Sequence, residues 1–325
     1  MKRHFAGLAL AALATNAAQA ETFQYASAFS ATDAFTQLVE QWAANISTAT
    51  GGEIAFEVVP NGALVPLPEA LDAIGLGVVS AGMVVASFTA GTIPAMGYAE
   101  MLGGIPVENP STGEALAQIW PDLDALFAEH GARALWGAPA FASGVMCRDG
   151  FVPNPSDWEG RKIRTAGRWQ AQQAAALGAT PVPLPPSELY VALQNGVVDC
   201  AFMTPSIAMS ARLYEVAPYY TNTDLAGNIT ISLMNLDTWN GFTDAQRAAI
   251  EQVSAEMLQT ASVAMLDSAT AALAELGRLG QVYTLTDAER AAVMERAGPV
   301  FDLVAAQVTE GPGAAMIATL SSFRQ

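Results

Sequence analysis

The apolar positions of the chain change period repeatedly along its length, from about two to about 3.6 and back, which is the pattern of strands separated by helices. Residues 22–28 are rich in β-forming side chains, and Ser30-Ala31-Thr32-Asp33 offers a capping box ahead of Phe35, Leu38, Val39, Trp42 and Ile46, which recur at helical spacing. Thr50-Gly51-Gly52 stops that helix. Residues 54–59 then have strand character, Pro60-Asn61-Gly62 turns the chain, a short helix is predicted over 68–74, and another strand over 78–86. Further on, 123–130 reads as helical with His130 at its end, where a histidine suits the helix dipole.

The stretch from 157 to 205 carries the candidate chemistry. Lys162-Ile163-Arg164-Thr165 reads as a short strand between Gly160 and Gly167, which puts Arg164 near its carboxyl end. Residues 169–177 are mostly Ala and Gln, good helix formers, and Gly178 follows where a helix end commonly takes a left-handed residue. After the proline-rich run 181–186, Ser187 is placed to cap a second helix through Asn195, Gly196 ends it, and 197–202 is an apolar strand. Strands alternating with helices pair in parallel through right-handed crossovers, and such sheets bind ligands beyond the carboxyl ends of their strands. Arg164 lies at that edge. So do the loops after Ala28 and Ala86, whose Phe29, Ser30, Ser87 and Phe88 mark the opposite wall of a cleft.

Toward the C-terminus, 228–234 is predicted as a strand, and Thr243-Asp244-Ala245-Gln246 begins an Ala-rich helix that runs to about 276, long enough to span two lobes. A short strand at 281–285, a second capping box at Thr286-Asp287-Ala288-Glu289 and further helices complete the chain. The fold class is therefore α/β. The length exceeds one ordinary core, so two lobes are expected, 21–140 plus 231–275 and 141–230 plus 276–325. No flexible linker is visible, which implies that strands and helices cross between them.

Residues 1–20 combine Lys2 and Arg3, an apolar run and Ala18-Gln19-Ala20, the make-up of a secretory signal cleaved near Ala20. That segment is too short to span a membrane, and the mature chain is expected to be exported and soluble. Loss of Lys2 and Arg3 takes the net charge from −17 to −19. Such a surface repels nucleic acid and anionic lipid, so an anionic ligand needs a locally placed arginine. Cys147 and Cys200 are the only cysteines. They are either one disulfide or two buried small side chains, and they follow no metal or redox spacing. With His4 in the leader, His130 is the sole mature histidine, which leaves no Ser-His-Asp or multi-histidine constellation; no phosphate loop of the Walker type is present, and no cofactor is expected.

In its order of motifs the chain resembles the extracytoplasmic solute-binding proteins of tripartite ATP-independent periplasmic (TRAP) transporters, dicarboxylate-binding type. The residues that carry the likeness are Gly51-Gly52-Glu53-Ile54, the run from Asp157 to Arg164, Leu177-Gly178-Ala179-Thr180-Pro181-Val182-Pro183, and the run from Glu188 to Asp199. The resemblance implies a two-lobed periplasmic-binding-protein-like fold, with a ligand cleft between the lobes and a long helix in the C-terminal half supporting the hinge. It also implies that Arg164 pairs with the ligand carboxylate, and that Thr204 or Met203 contacts the ligand. Arg168 and Trp169, beside Arg164, are candidates for a second charge and an apolar wall, and Phe29 and Phe88 for the facing one. Cys200 departs from the glycine that often follows the family aspartate, and a second arginine found in acidic-sugar binders falls near Ala142 or Ser143, so one carboxylate is the simpler ligand. The implied function is reversible capture of a small organic acid in the periplasm by a monomer, followed by delivery to a small and a large membrane permease subunit. A sensor subunit uses the same cleft, and a periplasmic enzyme acting on a small carboxylate is the third reading.

Overall fold

The computed structural model describes residues 21–107 and 111–324. The expected leader, 1–20, lies outside them. Nine strands form one mixed sheet: β1 (Glu21–Ala26), β2 (Ile54–Val59), β3 (Ala81–Val85), β4 (Ala132–Cys147), β5 (Lys162–Thr165), β6 (Thr180–Pro183), β7 (Cys200–Met203), β8 (Tyr219–Asn235) and β9 (Gln281–Thr284). Their spatial order is β2-β1-β3-β8-β4-β7-β5-β6, with β9 paired to β8. Thirteen helices surround them among the described residues: α1 (Ala34–Ala49), α2 (Ala70–Gly75), α3 (Ala86–Thr89), α4 (Met96–Glu100), α5 (Ser111–Ala128), α6 (Arg168–Ala176), α7 (Leu189–Gln194), α8 (Pro205–Ser210), α9 (Leu236–Gly241), α10 (Asp244–Leu279), α11 (Asp287–Ala297), α12 (Val300–Ala305) and α13 (Gly311–Ser322).

Two parallel units sit at the two ends of the sheet. β1 pairs in parallel with β2 and β3, and β5 in parallel with β6 and β7, each through a helical crossover of the kind the sequence implies. The two units are joined by β4 and β8, which run antiparallel from Ala132 opposite Asn235 to Cys147 opposite Tyr219. One end of β8 pairs with β3 and the other with β9, while the last residues of β4 pair with β7.

The sequence shows only a fraction of β4 and β8. Gly137, Pro139 and Gly144 interrupt β4, and Asn222, Asp224 and Gly227 interrupt β8, so β4 is predicted only in the region of Cys147 and β8 only over 228–234. The interruptions are where the ladder bends. The β4–β8 register shifts at Pro139/Ala140, Ala140/Ser143 and Ser143/Gly144, and three non-glycine residues there take left-handed backbone: Ala142 (φ 50), Asp224 (φ 56) and Asn228 (φ 67). Alanine has no side-chain hydrogen bond to offset that conformation. Replacing Ala142 with glycine is expected to raise the thermal midpoint by about 2 °C, corresponding to roughly 1 kcal/mol of relieved strain; an unchanged or lower midpoint by calorimetry would contradict it.

Other boundaries shift for identifiable reasons. Asp33 itself is the N-cap of α1, accepting the Phe35 N–H at 2.9 Å, so the expected box starting at Ser30 does not form. Ser187 lies inside a 3-10 turn, Pro186–Glu188, and α7 starts after it without a side-chain cap. β6 takes in Pro181 and Pro183 of the proline-rich run, for which no strand is predicted, and this is tolerated because it is an edge strand. α5 begins at Ser111 and contains Pro121, well before the predicted start at 123. Both later capping boxes form, with Thr243 facing Gln246 and Thr286 facing Glu289.

Packing follows from these elements. In the first unit Phe35, Val39, Trp42 and Ile46 of α1 meet Tyr25, Ile54 and Met83 of the sheet and Ile250, Val253 and Met257 of α10. In the second, Val145, Trp158, Ile163, Leu177 and Phe202 pack around the Cys147–Cys200 disulfide, whose Cα atoms are 4.1 Å apart in directly opposed positions of β4 and β7. α10, at 36 residues about 54 Å long, touches α1 at one end and α8 and β9 at the other. α12 and α13 pack on α4 and α5, where Phe301, Val304, Met316 and Leu320 join Leu116, Ile119 and Leu123.

Candidate functional site

The carboxyl ends of β1, β3, β5 and β7 converge on one cavity between the two units. It offers about 60 Å³ to the centres of water-sized molecules, several times the ~10–15 Å³ that one water needs on this measure. Phe29 after β1, Val85 and Phe88 around the β3–α3 junction, and Leu67 form one wall. Arg164 and Ala166 after β5, Phe202, Met203 and Thr204 around the end of β7, and Leu189 form the other. β4 and β8 supply Ala140, Ser143, Asn228 and Thr230 as the floor, and Met265 of α10 closes the back.

Only three charged side chains are buried among the described residues: Asp33 at 3%, Glu100 at 0% and Arg164 at 4% relative exposure. Arg164 projects from the end of the short central strand of the second unit. Its Nε donates to the Leu184 carbonyl at 2.8 Å and its Nη1 to the Phe202 carbonyl at 2.9 Å. Neutral carbonyls orient the guanidinium but leave its charge uncompensated. Among the described residues no acidic side chain forms an ion pair with it, whereas Arg133, Arg161, Arg247 and Arg290 each have a carboxylate partner. Burial alone pulls the Arg164 pKa down to about 10, so it remains cationic at neutral pH.

The expected site residues divide into two groups. Arg164, Met203, Thr204, Phe29 and Phe88 come together on the cavity. Thr204 is also the N-cap of α8, accepting the Ile207 N–H at 3.3 Å. Arg168 and Trp169 do not reach it. Trp169 is turned the other way and buried at 2%, its ring filling the space that a Cβ on Gly97 would enter at 2.2 Å, with the Arg168 guanidinium 4.7 Å above it. The helix period explains this: once Gln170 faces the cavity, Trp169 is about 100° away. Sequence reasoning missed Asp33, Gln170, Asn228 and Thr230 as site residues, and reached Ser143 only as the place of the second arginine of acidic-sugar binders. Asn228 is fixed by Ser87, whose N–H it accepts at 3.1 Å and whose Oγ it donates to at 3.1 Å.

Glu100 holds the second unit's α6 to α4. Its Oε1 accepts the Trp169 N–H at 2.7 Å and the Gln170 N–H at 2.8 Å, capping a helix whose own N-cap, Gly167, has no side chain. Glycine is required there, because a Cβ would lie 2.3 Å from the Ser87 carbonyl. Burial pushes the Glu100 carboxyl up to about 8 despite those two bonds and the nearby Arg168 charge, and its Oε2 has no hydrogen-bond partner. Because the folded value lies above the ordinary 4.5, protonation favours the native state, and stability falls as pH rises from about 4.5 toward 8. Asp33 is raised only to about 6, so the upper part of that window isolates Glu100. Glu100→Gln is expected to flatten a slope of up to ~1.4 kcal/mol per pH unit between pH 6 and 8, read from denaturant midpoints. Equal slopes in the two proteins would exclude this role.

Residues 25–307 match the family described as bacterial extracellular solute-binding protein, family 7 (DctP). The chain belongs to this family. Among family 7 relatives, the ectoine-binding periplasmic protein TeaA of Halomonas elongata is 31% identical over 142 residues, 43% of this chain and 40% of TeaA. The match thus spans less than half of that relative's length. Two solved structures share the fold along nearly their whole length. One is a TRAP periplasmic solute-binding protein from Desulfovibrio salexigens with bound orotic acid (TM-score 0.86, 22% identity, covering 93% of this chain and 98% of that one). The other is a marine metagenome TRAP solute-binding protein specific for pyroglutamate (TM-score 0.84, 20% identity, 94% and 99%). The two-lobed family 7 fold accounts for the two parallel units and for α10, and no helix among the described residues is long and apolar enough to cross a membrane.

Proposed function

We propose that this chain is the solute-binding subunit of a TRAP transporter and captures a small organic acid by closing its lobes over the ligand carboxylate. The observation that carries this is Arg164, a buried guanidinium oriented by two backbone carbonyls and lacking an acidic partner. A carboxylate that accepts its remaining donors supplies the missing negative charge, and the fork geometry fixes the carboxylate plane. Phe29, Phe88, Met203 and Thr204 complete the contact set, while Arg168 and Trp169 support it only by packing behind α6. In this reading β4 and β8 are the hinge strands between the lobes 21–140 plus 231–275 and 141–230 plus 276–325, and α12 and α13 pack on α4 and α5. Closure bends β4 and β8 at their left-handed residues and leaves α10 as the supporting beam.

In this reading the leader 1–20 is cleaved near Ala20, the mature monomer works in the periplasm, and the closed form docks on a small and a large permease subunit. The ligand is released unchanged, so the chain is a carrier and not an enzyme. A thermal-shift panel of organic acids on residues 21–325 tests it, since a ligand that binds only the native state raises the midpoint. A carboxylate hit recovered intact by mass spectrometry supports carriage; turnover of the hit, or hits confined to compounds without a carboxylate, contradicts it.

A further inference from the structure

The same cavity holds a second buried charge, of the opposite sign. Asp33 stands at the start of α1, in the lobe facing Arg164, and it lines the wall where the cavity meets an outer hollow that shares Phe29, Asp33, Pro186 and Ile207 with it. The two charges border one space, yet no ion pair joins them and, among the described residues, neither has another oppositely charged partner. A buried acid and a buried base that face one cavity without touching are complementary to something that reaches both.

Asp33 has acceptor capacity for this. Its carboxylate takes the Phe35 N–H at 2.9 Å and is also bonded by the Thr36 N–H, while an ionised carboxylate offers about four lone-pair sites. Burial raises its pKa to about 6, so it is mostly anionic at neutral pH. Around it the wall is apolar, with Phe29, Leu67 and Phe88 on its own lobe and Ile207 across the cleft. There is no second arginine or lysine on the cavity. A second carboxylate at the Asp33 end therefore meets a like charge and finds no cation.

We infer that Asp33 is the specificity-determining residue of the site, and that the ligand is a small monocarboxylate whose other end donates a hydrogen bond from nitrogen, as an amino acid, a cyclic amidinium acid or a lactam acid does. Dicarboxylates are excluded by the same residue. This rests on Arg164 being the carboxylate anchor.

The test uses matched probes on residues 21–325: succinate, 4-aminobutyrate and butyrate as one set, and pyroglutamate, cyclopentanecarboxylate and ectoine as another, each titrated calorimetrically against wild type, Asp33→Asn and Arg164→Ala. Asparagine caps helices as well as aspartate does, so Asp33→Asn keeps α1, and its unfolding curve confirms this. The expected result is that wild type binds a nitrogen-donor acid at least about 10-fold tighter than its plain or dicarboxylate match. Asp33→Asn should erase that preference and improve the dicarboxylate. A wild type that prefers the dicarboxylate or the plain acid, or a preference unchanged in Asp33→Asn, overturns the inference while leaving the anchor standing. Binding that survives in Arg164→Ala overturns the anchor instead, and a wild type that binds no carboxylate counts against both.

Discussion

Arg164→Ala is expected to abolish binding of every carboxylate ligand while the protein stays folded. The side chain is the one buried cation on the cavity, and its two protein bonds go to uncharged carbonyls. Removing one partner of a desolvated charge pair costs about 3–5 kcal/mol, which is a loss of roughly 10²- to 10³-fold or more in affinity. Native stability moves the other way or hardly at all, because a buried charge without a protein counter-ion opposes folding and its removal offsets the small void left behind. Calorimetric titration beside thermal unfolding reads both. An affinity within about threefold of wild type, in a variant that melts normally, would remove Arg164 from the site.

The second large effect is expected from the disulfide. Cys147 and Cys200 are separated by 53 residues, both are fully buried, and they tie the end of hinge strand β4 to β7. Closing a loop of that length restricts the unfolded chain by roughly 4 kcal/mol in the chain-entropy account, and loss of such a bridge typically costs about 2–5 kcal/mol. The Cys147→Ser/Cys200→Ser pair should therefore shift the denaturation midpoint strongly downward, and reductant should reproduce the shift in wild type only slowly, since the sulfurs are shielded until the second lobe opens. Coincident denaturation curves for the oxidised and the double-substituted protein would refute the contribution. Because β7 ends at Met203, a weaker ligand response in the double variant is the expected companion of lost stability.

How much of this was readable in the sequence depends on where each residue sits. Arg164 was legible because a short strand between two glycines fixes which end of the sheet it reaches, and Phe29 and Phe88 because they follow strands of the same kind. Trp169 misled, because adjacency to Arg164 along the chain says nothing about which side of α6 faces the cleft. The floor of the site was hidden for a different reason. Ser143, Asn228 and Thr230 belong to the two hinge strands, whose bends demand the prolines, glycines and left-handed residues that erase the alternating pattern of a strand. Asp33 was visible as part of a helix cap, and its second role follows only from where the start of α1 points. Glu100, between Ala99 and Met101, carried a faint signal, an acid in an apolar stretch, but its partner helix lies 69 residues away in the chain.

The carbonyl-cradled guanidinium has a consequence for the unloaded protein. Sealing it away from water with nothing to neutralise it costs several kcal/mol, so the jaws have an electrostatic reason to stay apart until a guest arrives. Under the proposed function, shape then reports occupancy: the ligand carboxylate would act as the latch, and a receiver that recognises only the shut form would meet few unladen carriers.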